Sequence, residues 1–199
     1  PGPRRAPQPA ARPGRDGSLP DRLLLVLEPA QASRDLIEAL AAAGGRWFWL
    51  RAKALSPAEA ELLLWRLLPL PPGVTLSLGG HPALAATLGL GCHLPRDGDV
   101  GAARRLALAL LGFSAHDLVE AAAAQAAGAD YVTLSPVYPP ASKPLLGRPL
   151  GLPGLAGAAR LLERPVVALG GITPARAVDC LRAGAAAVAP KYSPDASQQ

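Results

Sequence analysis

Residues 129–151 read Ala-Asp-Tyr-Val-Thr-Leu-Ser-Pro-Val-Tyr-Pro-Pro-Ala-Ser-Lys-Pro-Leu-Leu-Gly-Arg-Pro-Leu-Gly, and their reading decides the fold. The apolar run at 131–134 has the length of a short strand and passes directly into a loop of proline, serine, lysine and arginine. Further on, a second apolar run at 166–169 ends in Gly170-Gly171. A strand tip feeding a polar loop, followed by a strand tip feeding a glycine pair, is how a parallel α/β barrel assembles a site for a phosphorylated ligand.

Outward from this stretch the chain alternates short apolar runs with longer Ala/Leu-rich runs. Strands are expected at 23–27, 47–50, 74–77, 92–94, 110–113, 131–134, 166–169 and 186–189. Helices are expected at 32–43, 57–68, 82–88, 102–107, from Asp117 to 127, at 153–162, and from Thr173-Pro174 onward. Ser56 before Pro57 is a helix start by both its cap and its proline. Strand–helix steps of about 20–25 residues, with strands apolar on both faces, predict a (β/α)8 TIM barrel. A doubly wound open sheet is the alternative, and it would need a more polar edge strand than any seen here. The eighth helix is missing or degenerate: only residues 190–199 follow the last strand, and Pro194 interrupts them.

The formal charge of +5 belongs mostly to the N-terminus. Arg4, Arg5, Arg12 and Arg15 against Asp16 give residues 1–20 a net +3, which leaves +2 for the rest. Residues 1–20 read as a disordered Pro/Arg-rich extension, and 21–199 as the barrel domain. Without aromatics interleaved among the arginines, nucleic acid is not an expected partner. No apolar run reaches bilayer length or resembles a secretory signal, so the expectation is a cytoplasmic protein with no membrane partner. Cys92 and Cys180 fit no metal or redox spacing and read as small buried side chains.

In a barrel the residues just past each strand face the active site. Here they are Glu28, Arg51, Lys53, Gly79, His81, His93, Arg96, Ser114, His116, Ser135, Ser142, Lys143, Gly170, Gly171 and Lys191. Cations and donors outnumber carboxylates, which suits an anionic substrate and argues against a dedicated divalent-metal cage. Arg51 and Lys53 alternate across Ala52, so an extended strand end would point both the same way, as a phosphate clamp or as a solvated pair. Gly170-Gly171 offers bare N–H groups before a helix N-terminus, or is a tight turn. His116 can carry a proton near neutral pH or serve the next helix's first turn. His93 reads as a donor lining the barrel mouth, and His81 as a loop or capping histidine.

Together these residues resemble the thiamine phosphate synthase/TenI superfamily over residues 22–189. The likeness is strongest at 128–151, 166–172 and 184–189, with Leu50-Arg51-Ala52-Lys53, Gly91-Cys92-His93-Leu94-Pro95 and Phe113-Ser114-Ala115-His116 in support. The resemblance implies a (β/α)8 barrel and one of two activities. The synthase branch joins a pyrimidine diphosphate to a thiazole phosphate and releases diphosphate; the TenI-like branch isomerises a thiazole phosphate carboxylate to its aromatic tautomer. By similarity Arg51, Lys53, Ser142 and Lys143 match diphosphate-holding positions, and Gly170 and Gly171 match the thiazole phosphate site. Ser135 and His93 join the substrate-binding set, and His116 falls where the tautomerase places its acid/base.

Departures separate the branches. The Asn-Asp-Arg of the synthase is here Leu78-Gly79-Gly80, and its Gln-Glu-Asp falls on Arg96-Asp97-Gly98. The Val-Ser after the last strand becomes Lys191-Tyr192. The resulting expectation is a TenI-like tautomerase using His116, with no cofactor. The synthase is the alternative, with magnesium needed only there, and a non-catalytic thiazole or thiamine phosphate binder is a third reading. Either the N-terminal tail or another subunit, in a possible homo-oligomer, covers the missing helix position, or the apolar surface there stays partly open.

Overall fold

A computed structural model describes residues 18–139 and 149–194. Eight strands run β1 (Leu24–Leu27), β2 (Trp47–Leu50), β3 (Thr75–Gly79), β4 (Gly91–Leu94), β5 (Leu111–Ala115), β6 (Tyr131–Leu134), β7 (Val166–Leu169) and β8 (Ala187–Ala189). The helices between them are α1 (Arg34–Ala42), α2 (Pro57–Leu67), α3 (Pro82–Thr87), α4 (Val100–Arg104), α5 (Leu118–Ala126), α6 (Gly151–Leu161) and α7 (Pro174–Arg182). Each strand pairs in parallel with the next, in sequence order. Between β8 and β1 the circle is completed by bridges from Leu23 to Val188 and from Val26 to Lys191. The expected barrel is therefore present, and the open-sheet alternative is not.

Alternation along the strands sorts side chains into two apolar layers. Inward residues Leu24, Val26, Trp47, Trp49, Tyr131, Val167, Ala187 and Ala189 fill the barrel. Trp47 meets Tyr131 edge-on at 4.8 Å between ring centres, and the alanines of β8 leave room for these rings. Outward residues such as Leu50, Leu78, Val132 and Ala168 pack beneath Ile37, Leu64 and Leu155 of the helices. Truncating a fully buried leucine such as Leu64 to alanine would cost about 2–5 kcal/mol.

Local signals place the helix starts. Ser56 Oγ accepts from Glu59 N at 3.3 Å while the Glu59 carboxylate accepts from Ser56 N at 2.8 Å, so α2 starts just past the β2 tip. Asp117 caps α5 and Thr173 caps α7. Several elements shift by a residue or two from expectation, and in two of them the cause is plain. β3 runs on to Gly79, because Ser77, Leu78 and Gly79 pair with β4. α4 starts earlier, at Val100, because Asp99 accepts from Ala102 N and fixes its first turn.

After β8 no eighth helix forms among the described residues. The chain instead follows β1, with Tyr192 N donating to Val26 O at 2.9 Å. Leu19, at the other end of the chain, packs against the barrel interior. Most of the expected N-terminal extension, residues 1–17, lies outside the described residues. No helix among the described residues is long and apolar enough to cross a membrane.

Candidate functional site

Because all eight strands are parallel, their C-terminal tips form one rim. Lys53 after β2, His116 after β5 and Gly171 after β7 all stand on it. Ser142 and Lys143 lie outside the described residues.

At the β2 tip the chain turns at once: Ala52 N donates to Leu50 O at 2.9 Å, closing a three-residue turn around Arg51. This corrects the expected extended Arg51-Ala52-Lys53 alternation, since a turn removes the pleat that would have aligned the two cations. Arg51 is instead held by Glu28 at 2.6 Å, and the same carboxylate oxygen takes Lys191 at 3.2 Å. β1, β2 and the segment after β8 thus share one acidic centre between two cations. Lys53 is exposed and forms no ion pair among the described residues. His81 lies in the loop at the start of α3, as expected; its ring makes no cap bond, and its Nε2 donates to Ala52 O at 3.0 Å and ties down this turn.

The β6 and β7 tips cross closely. Gly170 and Gly171 have φ of +92° and +65°, where glycine is favoured. A Cβ on Gly170 would stand 2.8 Å from Pro136 Cα, and one on Gly171 would stand 2.8 Å from Tyr138 Cβ. The glycine pair therefore admits the loop that follows Ser135, whose own N donates to Ala115 O at 3.0 Å. Among the described residues no backbone bond comes from the N–H of Gly170, Gly171 or Ile172, and these groups precede the positive end of α7. Arg176, in the first turn of α7, donates to Gly171 O at 2.9 Å and lies 4.6 Å from the ring centre of Tyr138. Arg176 was missed in the sequence. Its signal was its place, three residues after the Thr173 cap, where a long side chain can reach back over the preceding loop.

His93 departs from its expected place at the mouth. Its side chain is buried inside the barrel, with Nδ1 2.9 Å from the Tyr131 hydroxyl and Nε2 2.9 Å from Ser114 Oγ. Thr133 Oγ1 approaches the same Nε2 at 3.4 Å, and Trp47 Nε1 donates to Ser77 Oγ at 3.3 Å. Burial, with a smaller contribution from the charge of Arg51, pushes the His93 pKa down to about 3, so the ring is neutral at physiological pH. It acts as an internal relay of hydrogen bonds. Gly112 makes this packing possible, since a Cβ there would overlap Tyr131 and His93.

His116 sits on the rim, but its bonds run toward α5. Its N donates to Glu120 Oε2 at 2.9 Å, and its Nδ1 lies 3.5 Å from the same oxygen. Glu120 also holds Arg96 at 2.5 Å. The ring is about half exposed, with side-chain accessibility of 47%. It occupies the helix-start role that the sequence left open beside catalysis.

The magnesium implied by the synthase branch can be tested against the residues present. Position 79 has no side chain, and a Cβ there would stand 2.9 Å from Leu50 O and 3.0 Å from Trp49 Nε1. Asp99 is spent on capping α4 at 2.8 Å from Ala102 N, and Asp97 is exposed in the loop. No group of three or more His, Cys, Asp or Glu among the described residues could hold a metal ion. The described residues do not fit that metal.

Comparison with known proteins adds a second line of observation. The family model described as "Thiamine monophosphate synthase" matches residues 23–190. A putative thiamine-phosphate synthase of Geobacter sulfurreducens is 39% identical over 178 residues, covering 84% of this chain and 83% of that protein. A thiamine-phosphate synthase of Chloroflexus aurantiacus is 36% identical over 168 residues, covering 82% of this chain and 78% of that protein. The thiamine phosphate pyrophosphorylase structure from Pyrococcus furiosus superposes with a TM-score of 0.72 at 21% identity, covering 88% of this chain and 89% of that one, which bears on the fold alone.

Proposed function

The chain belongs to the thiamine monophosphate synthase family, a family of thiamine-biosynthesis enzymes, and from that premise we propose that it is the synthase itself. The observation carrying this reading is that relatives 36–39% identical over about four-fifths of the chain bear that name. It replaces the tautomerase expected from the missing carboxylates, which the names of these relatives do not support.

The reaction forms a bond between the methylene carbon of the pyrimidine and the ring nitrogen of the thiazole. The carbon–oxygen bond to diphosphate breaks, and diphosphate leaves with the electron pair. Two anions must then be held on opposite sides of one rim. On one side Arg51 and Lys53, with Lys191 beside them, receive the diphosphate and the charge that develops on it. On the other, the N–H groups of Gly170 and Gly171, without a backbone acceptor among the described residues, the start of α7 and Arg176 receive the thiazole phosphate. His93, Tyr131 and Ser114 stiffen the barrel beneath both.

The test is incubation with the pyrimidine diphosphate and the thiazole phosphate. Thiamine phosphate and diphosphate should appear in equal amounts. A second reading, isomerisation of the thiazole phosphate carboxylate, is favoured by the bare Gly79. It predicts tautomer conversion without any pyrimidine substrate. Ligand binding with neither reaction would leave the non-catalytic reading.

A further inference from the structure

We propose that the β2–β3 side of the rim binds diphosphate without a divalent metal, Trp49 filling the volume that a metal-binding carboxylate at position 79 would require. The proposal deepens the synthase reading and rests on it for the identity of the anion.

Space is the first argument. As the backbone stands, a Cβ at Gly79 meets Leu50 O at 2.9 Å, Trp49 Nε1 at 3.0 Å and Ala52 N at 3.2 Å. Gly80 is closed in the same way: its φ is +87°, and a Cβ would lie 2.8 Å from both Cα and Cβ of Lys53. Three of these obstacles, Leu50 O, Ala52 N and Lys53 Cα, are backbone atoms at and just after the β2 turn, so a rotamer change does not open the volume. Neither position accepts a carboxylate without displacing the turn that carries Arg51.

Polarity is the second. Trp49 is 7% exposed, and its Nε1 is buried with no hydrogen-bond partner among the described residues. An indole nitrogen donates and never accepts, so it cannot ligate a cation. The groups turned toward this corner include two N–H donors, Trp49 Nε1 and Ala52 N, the latter engaged with Leu50 O. The indole packs against the His93 ring, 3.9 Å between ring centres at a tilt of 41°, which holds its edge in place.

Charge is the third. Arg51 and Lys53 flank the corner, Lys191 joins them only through Glu28 on the β1 side, and that one carboxylate already shares a single oxygen between Arg51 and Lys191. Three cations against one anion attract diphosphate and repel a divalent cation. A metal normally neutralises a leaving diphosphate; here fixed side-chain cations take that place.

Titration calorimetry with inorganic diphosphate, run on the whole chain in EDTA and again in excess magnesium, decides the matter. The expected result is binding in EDTA that magnesium leaves unchanged or weakens, since magnesium sequesters free diphosphate. Arg51→Gln should weaken binding about tenfold or more. If Arg51→Gln does not fold, the exposed Lys53→Gln serves, with a loss of several-fold. Binding seen only with magnesium, or tightened about tenfold by it, overturns the proposal, as does no binding in either buffer. Failure of the synthase reading would show separately, as metal-independent diphosphate binding without thiamine phosphate formation.

Discussion

Trp49 Nε1 lies 3.0 Å from the point where a Cβ on Gly79 would stand, so the two positions share one volume. The indole at the end of β2 and the bare backbone at the end of β3 are thus one feature. Gly79→Ala should destabilise the fold by about 1–3 kcal/mol through overpacking. Gly157, inside α6, is the control: nothing lies within 4 Å of a Cβ there. Gly157→Ala should leave stability unchanged or raise it by about 1 kcal/mol from helix propensity. Urea unfolding of both variants checks the pair, and equal losses would contradict it.

The β7 tip makes a parallel demand. Gly170→Ala places a side chain at φ +92° and against Pro136, at a cost of about 1–3 kcal/mol. The loop after β6 should shift with it. Loss of thiazole phosphate binding ahead of global unfolding, followed by calorimetry and circular dichroism, is the expected order.

His93 gives the fold a pH dependence whose sign is fixed. Its pKa falls from 6.5 to about 3 in the folded state, chiefly through burial. Between those values the unfolded chain takes up a proton that the folded chain refuses. Stability is therefore full above about pH 6.5 and declines as pH falls toward 3, by roughly 5 kcal/mol in total. Urea midpoints measured across that range test it. His93→Gln, if it folds, should flatten this slope.

Cys92 and Cys180 are both buried, and burial pushes the Cys92 thiol up to about 12. Neither should react with a thiol reagent at neutral pH while the chain is folded. Labelling should begin only as urea unfolds the barrel, with both thiols reacting together. Rapid labelling of the native protein would contradict the packing.

Much of the barrel was legible because its strands are apolar on both faces and punctuated by glycine and helix caps. Asp117 and Thr173 marked helix starts at the positions where they occur. The site was less legible, because the direction of a side chain at a strand tip is set by how the chain turns there. Arg51 shows this: a turn closed by Ala52 N sends it to Glu28, and the spacing alone gave no sign of that turn. His93 lies one register step inside the rim, paired with Gly79 and Gly112, and a strand with both faces buried does not reveal which step is the last. Trp49 and Arg176 were passed over because one looked like core and the other like a helix surface.

His116 offers a direct contrast between the two readings. If Glu120 holds it as a structural partner at the start of α5, His116→Ala should keep synthase turnover within about threefold of the parent, well short of the 100-fold or more expected for a general base. Steady-state rates with saturating substrates check this.

The claim that two anions occupy opposite sides of one rim is tested most directly by kinetics of two variants on the two substrates. Lys53→Gln should raise the KM for the pyrimidine diphosphate several-fold and leave that for the thiazole phosphate unchanged; Arg176→Gln should raise the KM for the thiazole phosphate and leave the other unchanged. Both variants altering both constants equally, or neither altering any, would contradict it.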